Sequence, residues 1–253
     1  RDLVRRKREG DNLMALVPRA VLSRHASVMC GVERGVNCTD LAGNVASDLH
    51  CPTMSLPACF GTTTSSIPGE SSYLAIPDLQ SSGWKPPLPD DSRLRVGLAW
   101  AGSPGLRDDA KRSIALGAFA PLLSDAGVNF YSLQKGHGAG EAADWPRIFV
   151  EPIDACTDFM DTAALIRHLD LVISVDSAIA HLAGAIGKPI WLLNRAGSEW
   201  RWGTSGNATP WYETMRIFRQ NTTFDWGPVI DDVAIELKRW GASKQRNRGS
   251  NSF

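Results

Sequence analysis

The chain is poor in the features that mark most specialised proteins. Its five cysteines, Cys30, Cys38, Cys51, Cys59 and Cys156, are odd in number and never spaced C-x-x-C. That pattern argues against a disulfide framework and against a zinc site. His50 beside Cys51 is read as two ordinary side chains rather than a ligand pair. Formal net charge is zero, so no global field favours nucleic acid or an anionic membrane. No apolar run approaches the ~20 residues of a membrane span. The basic start RDLVRRKREGDN has no apolar signal core behind it. These absences describe a cytoplasmic globular protein with no nucleic-acid partner and no transmembrane segment.

Several chemical fingerprints are missing as well. There is no G-x-x-x-x-G-K-[ST], which excludes a P-loop. The first regular strand is followed by AGSPG rather than G-x-G-x-x-G, and GHGAG at 136–140 has the wrong spacing for a dinucleotide turn. H-E-x-x-H and paired aspartates for a metal are absent. Without a G-x-S-x-G elbow, Asp176, Ser177 and His181 make a poor hydrolase triad, because adjacent Asp and Ser cannot take triad geometry.

What is present is apolar material, 43% against 21% charged residues in 253, enough for one large or two ordinary domains. It is organised around residues 170–193, DLVISVDSAIAHLAGAIGKPIWLL. Residues 171–175 have the length and β-branching of a buried strand. Asp176 and Ser177 are helix N-cap residues, whose oxygens accept first-turn N–H groups. A helix over 178–186 is stopped by Gly187 in left-handed geometry and by Pro189. Residues 190–193 form the next strand. Free N–H groups and the helix dipole make the mouth of this β-α-β unit attractive to a phosphate.

Elsewhere, residues 13–17 and 47–49 read as short strands, and 18–29 as a helix opened by Pro18. Residues 81–92, SSGWKPPLPDDS, form a stiff linker. Strands follow at 95–101, 129–133, 148–152 and 215–218, with helices at 116–124, 159–169 and 226–240. Strands alternating with helices imply a doubly wound parallel sheet over 93–240. Residues 1–92 form a smaller partial domain with the linker, and 241–253 a polar, disordered tail.

Polar residues gather where the strands end. Ser103 follows the first strand, with Lys111 and Arg112 just beyond it. Gln134 and Lys135 follow the second, and Asp176 and Ser177 the fourth. In a parallel sheet these ends share one edge, so distant residues converge there. His181 lies one helical turn beyond Ser177 on the same side. Trp200, Trp202 and Trp211 cluster, and their amphipathic rings suit a crevice, although packing alone is the commoner use of such rings.

These residues resemble a family. VDSAIAHLAGAIGKP is similar to the donor-binding stretch of the ADP-heptose:lipopolysaccharide heptosyltransferases, D-[ST]-G-P-x-H-L-A followed by G-x-P. The match is carried by Asp176, Ser177, His181, Leu182, Ala183, Gly187 and Pro189, with departures at Ala178 and Ile179. A closer likeness is to bacterial proteins that join tetratricopeptide repeats to a heptosyltransferase-like domain. It extends through DLHCPTMSLPACFGTT, VGLAWAGSP with KRSI, YSLQKG, EWRWG and TPWYETMRIFRQ, covering about residues 48–237.

The resemblance implies a GT-B glycosyltransferase with two Rossmann-like domains, the N-terminal one incomplete here. Ser103 and Lys111 or Arg112 would lie near the donor diphosphate, Gln134 near the nucleoside, Asp176 near the sugar, and Ser177 with His181 near the phosphates, with Lys135 among the donor-binding residues. Trp200, Arg201 and Trp202 would line the crevice. The implied substrates are a nucleotide-diphosphate sugar and a glycan, lipid-linked or protein acceptor. No metal and no cofactor beyond the donor is implied. The general base is expected in a Gly-rich loop that the sequence lacks, so the chain reads as a fragment. The alternatives are a nucleotide-sugar-binding module without turnover and an epimerase-like Rossmann enzyme acting on nucleotide sugars.

Overall fold

In the computed structural model the described residues are 15–16, 50–51, 56–67, 72–74, 76, 88–89, 91–106 and 108–250. The helix expected over 18–29, the strand at 47–49 and most of the 81–92 linker lie outside them. Contacts divide the chain into two compact units, Arg1–Pro68 and Gly69–Phe253. In the first, β1 (Ala15–Leu16) pairs antiparallel with β2 (His50–Cys51), followed by the single turn α1 (Leu56–Cys59). The described residues of this unit thus show none of the parallel pairing that a Rossmann-like half requires.

The second unit is built on six parallel strands: β3 (Leu94–Ala99), β4 (Val128–Ser132), β5 (Ile148–Phe149), β6 (Leu171–Val175), β7 (Ile190–Asn194) and β8 (Met215–Arg219). Their spatial order is β5-β4-β3-β6-β7-β8. The chain starts at the centre, winds outward through β4 and β5, then returns to the other side of β3. This is a doubly wound α/β sheet, and its order reverses between β3 and β6. Loops leaving those two strands diverge, which opens a crevice at their carboxyl ends.

Each strand feeds two cores. Leu94, Val96 and Leu98 of β3 pack on one face with Ile173 and Val175 of β6. That layer is completed by Leu122 and Leu123 of α3 (Ala120–Leu123) and by Val229, Ile230, Val233 and Leu237 of α7 (Gly227–Ser250). Tyr131, Val172, Ile190 and Leu192 face the other layer. Leu165 and Ile166 of α5 (Phe159–Arg167) and Ala180 and Ala183 of α6 (Ala178–Ala185) cover them. Burial on both faces explains why β6 reads LVISV with no polar alternation. Each fully buried Leu or Ile contributes about 1.5–3 kcal/mol of transfer free energy.

The ends of α6 show how local chemistry sets the elements. Gly187 has φ 72°. Its N–H reaches the Gly184 carbonyl, and the Lys188 N–H reaches Ala183. These two bonds form a Schellman stop, which only a residue tolerant of positive φ closes without strain. Three expectations are corrected. The third strand ends at Phe149, because Pro152 opens the short helix α4 (Glu151–Asp154), where its missing N–H costs nothing. The helix at 116–124 is a 3-10 turn, Leu116–Phe119, followed by α3, with Pro121 in the new first turn. Finally, α7 continues through Ser250 rather than ending at 240, since no proline interrupts the Ala, Lys, Gln and Arg that follow.

Candidate functional site

A cavity of about 690 Å³ lies at the crevice between the carboxyl ends of β3 and β6, a volume that suits a small organic ligand. Ala99 at the end of β3, Ala101, Gly102 and Ser103 after it, and Gln134 and Lys135 after β4 line it. Asp176, Ser177, Ala178, Ile179 and His181 line it from the β6 exit and α6, and Thr157, Asp158, Phe159 and Thr162 from the start of α5. Arg201 and Glu199 close the rim.

Arg112 is fixed by a partly buried network. Its Nε donates to Asp109 Oδ1 at 2.9 Å, and its Nη1 to the Asp176 carbonyl at 3.0 Å. Ser113 Oγ donates to the other oxygen of Asp109 at 2.8 Å and accepts the Gly102 N–H at 2.9 Å. These bonds tie α2 (Asp109–Arg112) to the exits of both β3 and β6. A guanidinium has five N–H donors, so these two bonds do not exhaust it. Gly102 makes the arrangement possible, because a Cβ there would lie 2.3 Å from Asp109 Oδ1 and 2.4 Å from Arg112 Nε.

At the mouth of α6, Ser177 is the extended N-cap residue, as its sequence position predicts. Its side chain does not cap the helix, however. The Ser177 hydroxyl instead lies 3.0 Å from that of Ser174. The amides of Ala178 and Ile179 precede the first intrahelical acceptors and border the cavity. They form the positive end of the helix dipole.

His181 occupies the inner corner. Its ring stacks on Trp202 with centroids 5.3 Å apart, and its Nδ1 lies 2.9 Å from the Tyr212 hydroxyl. Its Nε2 faces Asp176 Oδ1 at 3.8 Å. Burial pushes the imidazole below the usual histidine range, with Asp176 opposing and Arg201 reinforcing the fall. Burial also pushes the Tyr212 phenol up, so it stays protonated. Both shifts favour the uncharged form of the group concerned.

Eight of the eleven residues singled out in the sequence line this cavity: Ser103, Arg112, Gln134, Lys135, Asp176, Ser177, His181 and Arg201. Gln134 does so with its amide already committed. Oε1 accepts the N–H groups of Trp100 and Ala101, and Nε2 donates to the carbonyls of Ala101 and His137. Its role is to hold the β3 and β4 exits together. Lys135 donates to the Cys156 carbonyl. The other three residues are not among the cavity's lining. Lys111 pairs with Asp108 at 2.9 Å. Trp200 is 63% exposed and packs edge-on against Trp211, whereas Trp202 is buried beneath His181. The reason is the 3-10 turn Trp200–Trp202, which sends successive side chains in different directions.

The structure adds residues that local pattern did not reveal. Asp109, Ser113 and Tyr212 support the site, and His137, Thr157, Phe159 and Thr162 line it. Of these, Ser113 lies in KRSI and Tyr212 in TPWYETMRIFRQ, two of the stretches that carry the family resemblance. No cluster of three or more His, Cys, Asp or Glu side chains suited to a metal occurs among the described residues. None of the helices there is long and apolar enough to cross a membrane.

A doubly wound sheet with an anion-suited helix mouth at its switch point defines the class: an α/β domain of the kind found in GT-B-like glycosyltransferases. Comparison with known proteins makes this specific. Residues 152–224 match the model of glycosyltransferase family 9 (heptosyltransferase). That segment carries Asp176, Ser177, His181, Arg201 and Tyr212, though not Ser103, Arg112 or Lys135. The chain is also similar to Protein FlbA of Caulobacter vibrioides, 32% identical over 194 residues, which cover 72% of this chain and 31% of that protein. It therefore spans about a third of the length of this curated relative. Residues 152–224 are thus similar to the heptosyltransferase-like domain of glycosyltransferase family 9.

Proposed function

We propose that the cavity between β3 and β6 binds the diphosphate and sugar of a nucleotide-sugar donor, and that the domain serves in metal-independent glycosyl transfer. The observation that carries this reading is the convergence of Arg112, the α6 mouth and His181 on one cavity, with Asp176 between them. In the transfer, an acceptor hydroxyl oxygen forms a bond to the sugar's anomeric carbon. The bond from that carbon to the phosphate oxygen breaks, and the nucleoside diphosphate leaves with the electron pair. Arg112, the Ala178 and Ile179 amides and a neutral His181 donor stabilise the charge that grows on the leaving oxygen. Fixed donors in a site shielded from water are usually the largest catalytic contribution. Asp176 accepts hydrogen bonds from the sugar hydroxyls. The acceptor proton passes to a carboxylate base outside the cavity described here. The acceptor is a glycan, a lipid-linked saccharide or a protein side chain.

Isothermal titration with the diphosphates of adenosine, guanosine, uridine and thymidine, and with their sugar conjugates, tests the reading. At least one is expected to bind, and Asp176→Ala is expected to weaken the sugar conjugate at least tenfold while leaving the bare diphosphate within a few-fold. No binding of any of them would sink it. Binding without transfer or hydrolysis in the presence of acceptors would leave a donor-holding module in its place.

A further inference from the structure

Three aromatic residues, Tyr73, Tyr212 and Trp202, are linked to His181 by ring contacts and hydroxyl groups. Tyr73 Oη lies 3.4 Å from Tyr212 Oη, which lies 2.9 Å from His181 Nδ1. The His181 ring is held flat on Trp202 and edge-on to Tyr212, with centroids 5.9 Å apart in the second pair. The chain that brings Tyr73 here is anchored independently, since the N–H groups of Tyr73 and Leu74 both donate to the Ala185 carbonyl at the end of α6.

Tyr212 is seated in a slot made for its ring. A Cβ on Gly184, in the turn of α6 after His181, would lie 2.5 Å from Tyr212 Cγ and 2.6 Å from Cδ1. Only glycine at that position lets the phenol approach the helix closely enough to reach Nδ1.

The direction of the hydrogen bonds follows from counting protons. Each phenol has one, and a neutral imidazole has one. If Nδ1 held the proton, a bare Nε2 lone pair would face the Asp176 carboxylate 3.8 Å away, an unfavourable contact between two electron-rich groups. If Tyr212 donates to Nδ1, the proton sits on Nε2, attracted by Asp176 and directed at the cavity. Tyr212 then has room to accept from Tyr73, so the whole chain runs one way. The second nitrogen of a histidine is generally set by the bond the first one makes.

We infer that Tyr212 is a positioning residue that locks His181 as an Nε2–H donor, so that the cavity presents a neutral hydrogen-bond donor to an anionic oxygen of its ligand. The inference rests on the donor-binding reading for the identity of that ligand, but the tautomer itself does not depend on it. Tyr73 supports Tyr212 from behind, and Gly184 supplies the space.

The test is nitrogen NMR on the full chain labelled with 15N-histidine, at mildly alkaline pH, with His181 assigned through His181→Gln. The unaltered chain is expected to show His181 protonated at Nε2 and bare at Nδ1. Tyr212→Phe keeps the ring in its slot and removes the hydroxyl, and is expected to bring in the Nδ1–H form. In parallel it is expected to weaken the tightest of the nucleoside diphosphates about fivefold, the scale of one net hydrogen bond. Gly184→Ala, which displaces the phenol without altering it, is expected to give the same mixture of tautomers. An Nδ1–H form in the unaltered chain, or a tautomer that neither variant changes, would overturn the inference. Absence of diphosphate binding by the unaltered chain would instead overturn the donor-binding reading, while the nitrogen spectra still decide the role of Tyr212.

Discussion

Arg112 and His181 do different work in one cavity, and each depends on neighbours that its own sequence context does not show. Arg112 is held by Asp109, itself buried and bonded to Ser113, and by the closeness of the Gly102 backbone. Gly102→Ala is therefore expected to push the guanidinium from the cavity and lower nucleoside diphosphate affinity tenfold or more. Calorimetry checks this, with circular dichroism showing that the sheet persists. His181 has a folded-state pKa lowered by burial, so the unfolded chain binds its proton more readily. Stability carried by the neutral ring is complete above the ordinary histidine value and declines as pH falls below it. The melting temperature is expected to fall between about pH 7 and pH 5, and His181→Gln to flatten that slope. An equal slope in both proteins would contradict the account. The residue types at the site were legible in the sequence because polar side chains follow strand ends in a fixed rhythm. Their states were not. Gln134 reads like a ligand contact, yet its four hydrogen-bonding positions are taken by backbone groups brought from Trp100, Ala101 and His137 by tertiary folding. Trp202 reads like a crevice lining and is instead the shelf under His181.

At the level of elements, local chemistry explains most of what the sequence disclosed. The β6-α6-β7 unit has its strand run, its N-cap residue and its Gly-Lys-Pro stop within two dozen residues; the strand and the stop behave as those signals direct, whereas Ser177 takes the N-cap position without capping through its side chain. Failures came where a proline opens a helix rather than ending a strand, at Pro152, and where a polar helix outlasts its apolar stripe, in α7. The loop after β7 shows a dependence that no local signal carries. Arg219, at the end of β8, donates to the carbonyls of Trp202, Gly203, Ser205 and Gly206. One side chain thereby fixes the segment that carries both Arg201 and the Trp202 shelf. Arg219→Gln is expected to loosen that loop and reduce diphosphate affinity several-fold. Arg219 belongs to neither core and only the Trp202 edge of the second adjoins it, so the urea midpoint is expected to move little. Faster hydrogen exchange confined to residues 202–206 and their neighbours, measured by mass spectrometry, would identify the cause.

For the second unit as a whole, sheet order converts scattered residues into a site. Ser103, Arg112, Lys135, Asp176 and His181 meet because β3, β4 and β6 are parallel neighbours that end on one edge. The alternation of strands and helices made that edge foreseeable, whereas the antiparallel pair in the first unit was not foreseen. On the proposed reading, Arg112 and the helix mouth, not a metal ion, neutralise the donor's diphosphate. Donor binding and any transfer are expected to survive exhaustive chelation with EDTA, and a loss restored by a divalent cation would contradict that. The central claim is a location, and it is tested most directly by titrating a nucleoside diphosphate into the 15N-labelled chain and mapping the backbone shifts. Changes concentrated at 101–104, 111–113 and 176–181, on the carboxyl edge of β3 and β6, are the predicted result. Shifts confined to the opposite edge or to β8 and α7, or none at saturating ligand, would contradict the account.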